Sequence, residues 1–191
     1  NKDRSPAEGE NFRLGLEGDV SAVFAEEDEG WQKLQDLARE ADVLIDALLG
    51  TGTRLPLRGE LADMLGVVRS IVTERRQPVD EDPEPLIPRP SNRDAEEVFV
   101  VGVDGPTGLE YEMGQLDDVA IAADLTVTFA YPKVGHFRFP GAGALGELVV
   151  ADIGIDPALA EEVTLEVVTP SMVREWLPVR PPDAHKGTFG K

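Results

Sequence analysis

No cysteine occurs in the 191 residues. That excludes disulfides, thiolate catalysis and cysteine-ligated zinc, and it fits a reducing, cytoplasmic setting. Histidine is nearly as scarce. His136 and His185 are the only two and lie far apart, so a multi-histidine metal centre is not expected. Basic residues are also few, 18 Lys and Arg against 37 Asp and Glu, for a formal charge of −19. A field of that sign repels nucleic acid and anionic lipid, and no basic patch interrupts it, so neither is expected as a partner. A phosphate-bearing ligand would have to be met by backbone amides, individual Arg or Lys residues, or a metal cation. No run approaches the roughly 20 apolar residues of a membrane span. The segment Asn1–Pro6 has no apolar core of a signal peptide. It also has no initiator methionine, from which the chain is expected to begin inside a longer protein. Two further absences concern nucleotide binding. There is no GxGxxG turn followed by an acidic residue about twenty positions on, and no strand–glycine loop–helix unit opens the fold.

What is present describes one domain with a real core, given an apolar fraction of 41%. Val43–Asp46, Val98–Asp104, Leu125–Ala130 and Glu147–Ile153 read as buried-type strands, because parallel strands covered on both faces are near-continuous aliphatic runs. Val20–Ala25 and Val163–Val168 read as further strands, the latter at an edge. Helical spacing appears around Gly9–Leu16, over 30–41 (Trp31, Leu34, Leu37, Ala38, Ala41) and from Leu57 to Val72. A short helix is expected over Pro170–Trp176. Between Glu74 and Glu97 five prolines sit among charged residues with only Leu86 and Ile87 to bury, which predicts an exposed acidic insertion. Leu177–Pro182 has the composition of an interdomain linker. Alternating strands and helices predict a Rossmann-like, doubly wound α/β fold, its sheet mostly parallel with helices on both faces, and truncated at its N-terminal βα unit.

Three constellations carry chemistry. Asp46 and Asp104 each end a strand and precede a glycine-bearing turn. If the strands are neighbours, both carboxylates face the crevice where open α/β sheets bind ligands. There they can hold a cation, bond a ribose, act as acid and base, or simply cap their turns. After Asp46 comes Gly50-Thr51-Gly52-Thr53-Arg54-Leu55-Pro56, continuing to Arg58. Its glycines permit close backbone approach, and its hydroxyls and guanidinium groups can hold a phosphate at the start of the next helix. After Asp104 the turn Gly105-Pro106-Thr107-Gly108 offers hard oxygen ligands, although a bare DxPTG turn has little specificity. Lys133 follows the third strand and would emerge at the same sheet edge, able to neutralise a phosphate or transfer a proton. Nothing in the sequence fixes a partner for His136.

Together the stretches DALLGTGTRLPLRG, VDGPTGL, ADLTVTFAYPKVGH, Gly141–Leu148 and Ala151–Ile155 resemble, in order, the NAD(P)H-hydrate epimerase domain. The resemblance covers roughly residues 40 to 156. Asp183-Ala184-His185-Lys186-Gly187-Thr188-Phe189-Gly190-Lys191 resembles the opening of the ADP-dependent NAD(P)H-hydrate dehydratase domain, which bacterial repair enzymes carry behind the epimerase. On this resemblance residues 1–176 are an epimerase domain lacking its N-terminal part, and 177–191 are a linker and the start of the second domain. The activity implied is metabolite repair. An isomerase interconverts the R and S forms of hydrated NADH or NADPH, and a lyase then removes water using ADP or ATP. The same resemblance implies a potassium ion at Asp46 and Thr107, one per epimerase site, and a dinucleotide loop at Gly50 through Pro56. It makes Asp104 a substrate-contacting carboxylate, and Lys133 is our choice for proton transfer or phosphate holding. A homo-oligomer is compatible with all of this.

Departures from the family pattern set further expectations. The glycine- and asparagine-rich opening loop, which gives the family an asparagine to potassium and amides to substrate, is absent. Gly105 and Thr107 replace the Ile and Ser of many relatives. The chain by itself is therefore expected to be weakly active or inactive. Two rival readings compete: a nicotinamide or flavin oxidoreductase, which the missing GxGxxG turn disfavours, and a non-catalytic nucleotide- or protein-binding module, which the retained Asp46, Asp104 and Lys133 disfavour.

Overall fold

The computed structural model of the protein describes residues 10–18, 20–76, 97–178, 182–185 and 187. They fall into two units, Asn1–Ile153 and Gly154–Lys191. The first contains α1 (Glu10–Glu17), α2 (Gln32–Glu40), β1 (Val43–Asp46), α3 (Glu60–Arg75), β2 (Phe99–Val103), β3 (Leu125–Phe129) and β4 (Glu147–Ala151). The second contains α4 (Pro170–Trp176).

The four strands pair in chain order, β1-β2-β3-β4, and every pair is parallel. The Rossmann-like α/β fold expected from the alternation of elements is therefore present, with a sheet that is parallel throughout. Because side chains alternate across a strand, Leu44 and Val100, paired in register, share one face of β1 and β2. Against it pack Ala38 of α2 and Leu65, Val68, Ile71 and Val72 of α3. The spacing of these α3 residues puts them on one helical stripe, and each fully buried aliphatic side chain contributes about 1.5–3 kcal/mol. On the opposite face of β1, Val43 and Ile45 are exposed.

The ends of α3 are set by charge. Glu60 and Asp63 occupy its first turn and Arg75 its last, each favourable to the helix dipole. Arg75 donates to the carbonyls of Ala38 and Ala41, at 3.1 and 2.6 Å. Arg76 bonds the Asp124 carboxylate at 2.5 Å, and Asp124 also takes the Val100 amide at 2.7 Å. These bonds tie the helix to the amino ends of β1, β2 and β3, and so fix which strand ends point the other way.

Two strand expectations fail. Residues 20–24 form no strand and Ala25–Glu27 forms a single 3-10 turn, with Val20, Val23 and Phe24 exposed. Residues 163–168 likewise form no strand, and Val163, Leu165 and Val168 are exposed. Both have a strand's composition, but among the described residues neither joins the sheet. The helix expected over 30–41 is shortened to α2, because Gly30 and Trp31 take left-handed backbone angles (φ 67° and 58°). Asp28 closes this start by accepting the Lys33 and Leu34 amides, both at 2.9 Å. Most of the expected acidic insertion, 77–96, lies outside the described residues. In the second unit α4 forms as expected, with Pro170 at its first position and the Thr169 hydroxyl accepting the Met172 amide at 3.3 Å.

Candidate active site

The parallel order places the carboxyl ends of β1, β2 and β3 side by side, and the predicted site residues follow those ends directly. Asp46 closes β1, Asp104 follows β2 and Lys133 follows β3 by four residues. The geometry required of them, one rim of one sheet, is met.

Asp46 is buried, and its partner is Thr107, also buried. The Thr107 amide donates to Asp46 Oδ2 at 2.7 Å and its hydroxyl to Oδ1 at 2.5 Å, so both carboxylate oxygens are engaged by one residue. The Thr107 hydroxyl in turn accepts the Leu49 amide at 3.1 Å. The turn after β2 is thereby fastened to the end of β1. Among the described residues no cationic side chain bonds Asp46.

Asp104 has the opposite surroundings. Its backbone is left-handed (φ 67°), uncommon outside glycine, and its amide donates to Val127 O at 2.8 Å. Its Oδ1 accepts from the Lys133 ammonium and, at 2.8 Å, from the Thr128 hydroxyl. Lys133 Nζ also donates to Thr128 Oγ1 at 2.6 Å. Burial pushes the Asp104 carboxyl up, but the hydrogen bonds from Lys133 and Thr128 and the ammonium charge outweigh it and hold the group below the usual carboxylate range. The pair is not sealed off, since the two side chains keep 14% and 23% of their exposure. Asp104 is therefore an anion at neutral pH, beside a charged donor and open to a ligand.

The loop after β1 completes the rim. A Cβ at Gly50 would lie 3.2 Å from Asp104 Oδ2, closer than side chains ordinarily pack, so glycine lets this loop rest against the carboxylate. The Thr53 hydroxyl bonds Gly50 O at 2.8 Å, and Gly52 is left-handed at φ 93°. Thr51, Gly52, Arg54 and Pro56 are exposed, and Thr53 and Leu55 half-buried. Asp117 anchors the far end by accepting the Leu57 amide at 2.7 Å. The first turn of α3 already holds Glu60 and Asp63, so an anion is better met by the loop and its exposed arginines than by that helix end.

Three contributors escaped the sequence reading. Thr128 was inside a strand motif, with nothing to distinguish its hydroxyl from those of Thr51, Thr53 or Thr126. His136 is buried at 2% exposure, accepts the Lys133 amide on Nδ1 at 3.1 Å and bonds the Asp104 carbonyl through Nε2 at 3.0 Å. Tyr111 meets the His136 ring edge to face at 5.3 Å between centroids. Its hydroxyl is buried without a hydrogen-bond partner among the described residues, close over Gly105. Burial, then the charges of Asp104 and Asp46, push that hydroxyl up. For His136 only its place one turn beyond Lys133 was a usable signal.

A family model described as YjeF-related protein N-terminus matches residues 15–135. The chain is similar to the bifunctional NAD(P)H-hydrate repair enzyme Nnr of Thermofilum pendens, 34% identical over 185 residues, 95% of this chain and 29% of that protein. Enzymes of the same name in Methanothermobacter thermautotrophicus (34% over 152 residues, 80% and 23%) and Moorella thermoacetica (32% over 153 residues, 79% and 24%) are also similar. The chain thus spans under a third of the length of these curated relatives.

Proposed function

The chain belongs to the family of YjeF-related protein N-termini, and from that premise we propose that it is an isomerase, the epimerase part of an NAD(P)H-hydrate repair enzyme. The observation that carries this reading is the Asp104–Lys133 ion pair at the sheet rim, with the glycine loop resting on its open side. The names of the similar enzymes support the choice of substrate, a reduced nicotinamide cofactor hydrated on its ring.

The chemistry asked of the site is modest. The hydrated carbon carries a hydroxyl and a ring nitrogen, so it is a hemiaminal. The nitrogen lone pair expels the hydroxyl while the Lys133 ammonium protonates the leaving oxygen, releasing water and leaving a planar iminium. Water adds to the other face, its oxygen forms the new C–O bond, and a proton returns to the lysine. Atoms and charge balance, and the configuration is inverted. Asp104, anionic throughout, stabilises the positive charge that develops on the ring and keeps the lysine aimed. Residues Gly50, Thr51, Gly52, Thr53, Arg54, Leu55 and Pro56 would hold the dinucleotide so that its ring meets the pair, the orientation on which such a reaction depends.

A potassium ion fits Asp46 and Thr107. Asp46 is a buried carboxylate whose only described partner is a neutral residue, and its remaining lone pairs are hard oxygen donors. Among the described residues no group of three or more His, Cys, Asp or Glu side chains converges, so the ion would rest on this one carboxylate and neutral oxygens. Bound there, the ion would supply positive charge against the ligand's diphosphate and stiffen the turn.

Residues 1–176 are read as the epimerase domain and 177–191 as a linker with the first residues of a dehydratase, a lyase that would take the ADP or ATP; the bifunctional relatives support this division. No helix among the described residues is long and apolar enough to cross a membrane, and the lack of cysteine supports a cytoplasmic setting. The test is direct. The complete protein is purified and given one epimer of the hydrate, and the approach to the R/S equilibrium is followed by chromatography. Asp104→Ala should slow it by about 10²–10⁴-fold while leaving the circular dichroism spectrum unchanged. An unaltered rate would remove Asp104 from the mechanism.

A further inference from the structure

We propose that His136 is a positioning residue that couples Asp104 to Lys133 through their backbones, as a neutral imidazole protonated on Nε2. The inference rests on the assignment of those two residues to the reaction.

Hydrogen-bond accounting fixes the tautomer. The Lys133 amide can only donate, so Nδ1, 3.1 Å away, must accept and is unprotonated. The Asp104 carbonyl can only accept, so Nε2, 3.0 Å away, must carry the proton. Both ring nitrogens are thereby used, and each is used on one member of the ion pair. Asp104 and Lys133 are joined twice, once side chain to side chain and once backbone to backbone through the imidazole. The result is a closed ring of contacts in which neither residue can shift without breaking a bond.

The ring has something to hold. Asp104 sits in a left-handed conformation, uncommon outside glycine although aspartate adopts it more readily than most, and His136 grips the carbonyl at that point. Lys133 has extended angles (φ −99°, ψ 156°) and leads into the 3-10 turn Val134–Phe137 that returns the histidine beneath it. The imidazole is almost fully buried, with Tyr111 against its ring, so solvent cannot substitute for it. Burial, then the nearby Lys133 charge, lowers its pKa against the opposing pull of Asp104, in keeping with a ring that stays neutral. The charged and titratable groups facing it are Asp104, Lys133 and Tyr111.

A histidine that merely fills space would keep the Tyr111 contact and be replaceable by another ring. His136→Phe preserves the ring and removes both hydrogen bonds. It is expected to lower kcat on the order of 10- to 100-fold with KM little changed, and to bring the Asp104 carboxyl, followed by carbon-detected NMR titration, back toward the ordinary range. His136→Gln, whose amide nitrogen reaches the Nε2 position, should recover part of kcat. Nitrogen NMR of the unaltered protein should show His136 protonated on Nε2 alone at neutral pH. Full activity and an unmoved Asp104 titration in His136→Phe would overturn the proposal, as would a ring protonated on Nδ1. Should His136→Phe not fold, the glutamine variant and the tautomer decide. A complete, unaltered protein that does not interconvert the epimers refutes the epimerase reading instead, and the titration and tautomer measurements still judge the clamp.

Discussion

Asp46 and Asp104 are the same residue type at the carboxyl ends of neighbouring strands, one closing β1 and the other just past β2, yet they live in opposite company. Asp46 is buried to 4% exposure and bonded on both oxygens by neutral groups of Thr107. Asp104 meets a lysine ammonium and a threonine hydroxyl on one oxygen and turns the other toward a glycine loop. A carboxylate held by neutral donors in the interior keeps an uncompensated charge, which suits holding a cation and bracing a turn. A carboxylate paired with an ammonium at a partly open rim suits moving protons. Position in the fold makes both candidates, and only the partners separate their roles.

The largest effect should come from removing the partner that makes them different. Lys133→Met leaves Asp104 buried without its cation. Interconversion should fall about 10²–10³-fold. The Asp104 carboxyl should titrate at higher pH, since the contribution that raises it, burial, remains while the strongest opposing bond is lost. Steady-state kinetics and NMR titration read both. A variant with normal turnover would make the two carboxylates functionally alike again.

A second effect should fall on stability. Asp46→Asn sets an amide donor or a turned carbonyl against two donors of Thr107, and Thr107→Val removes the hydroxyl that serves both Asp46 and Leu49. Each is expected to cost about 1–3 kcal/mol in urea unfolding, whereas Thr107→Ser should cost under about 1 kcal/mol. Asp46→Asn should also erase any dependence of the rate on potassium. A neutral Asp46→Asn would mean that the buried bridge is ornamental.

The smallest effect is a pH dependence with two windows. His136 has a lowered pKa in the folded state, so between its unfolded value near 6.5 and that lower value the unfolded chain binds the extra proton. Stability contributed by the neutral ring is therefore present above about pH 6.5 and declines as the pH falls below it, by at most about 1.4 kcal/mol per pH unit. Asp104 acts lower. Its contribution is present above about pH 3.9 and is lost as the pH falls through its depressed folded value. Unfolding curves for His136→Gln should lack the upper window alone.

The sequence revealed the strands that lie inside the sheet and misread two that do not exist. Val98–Asp104 is an apolar run up to its closing aspartate and Leu125–Ala130 alternates apolar residues with two buried threonines, and the bounds of both are legible to within a residue or two. Residues 20–25 and 163–168 carry the same composition, but a strand exists only by pairing, and no local pattern tells whether a partner arrives. The site divides in the same way. Asp46, Asp104 and Lys133 could be placed at one rim because chain topology puts them there. His136 could not be placed, because its partners are a backbone carbonyl 32 residues away and the amide of Lys133, groups that every residue has. Thr128 was hidden by the equal chance that a strand hydroxyl satisfies a carbonyl, as Thr126 does with Leu145 at 2.7 Å.

Gly105 and Tyr111 have a consequence for anyone wishing to move this turn between proteins. A Cβ at 105 would run into the phenol ring, 3.1 Å from Cζ and closer still to the hydroxyl. The two positions therefore share a single volume, which only one of them can fill. A graft of the segment into a scaffold with a branched side chain at the first position succeeds only when the ring is exchanged with it, so the unit of transfer is the pair.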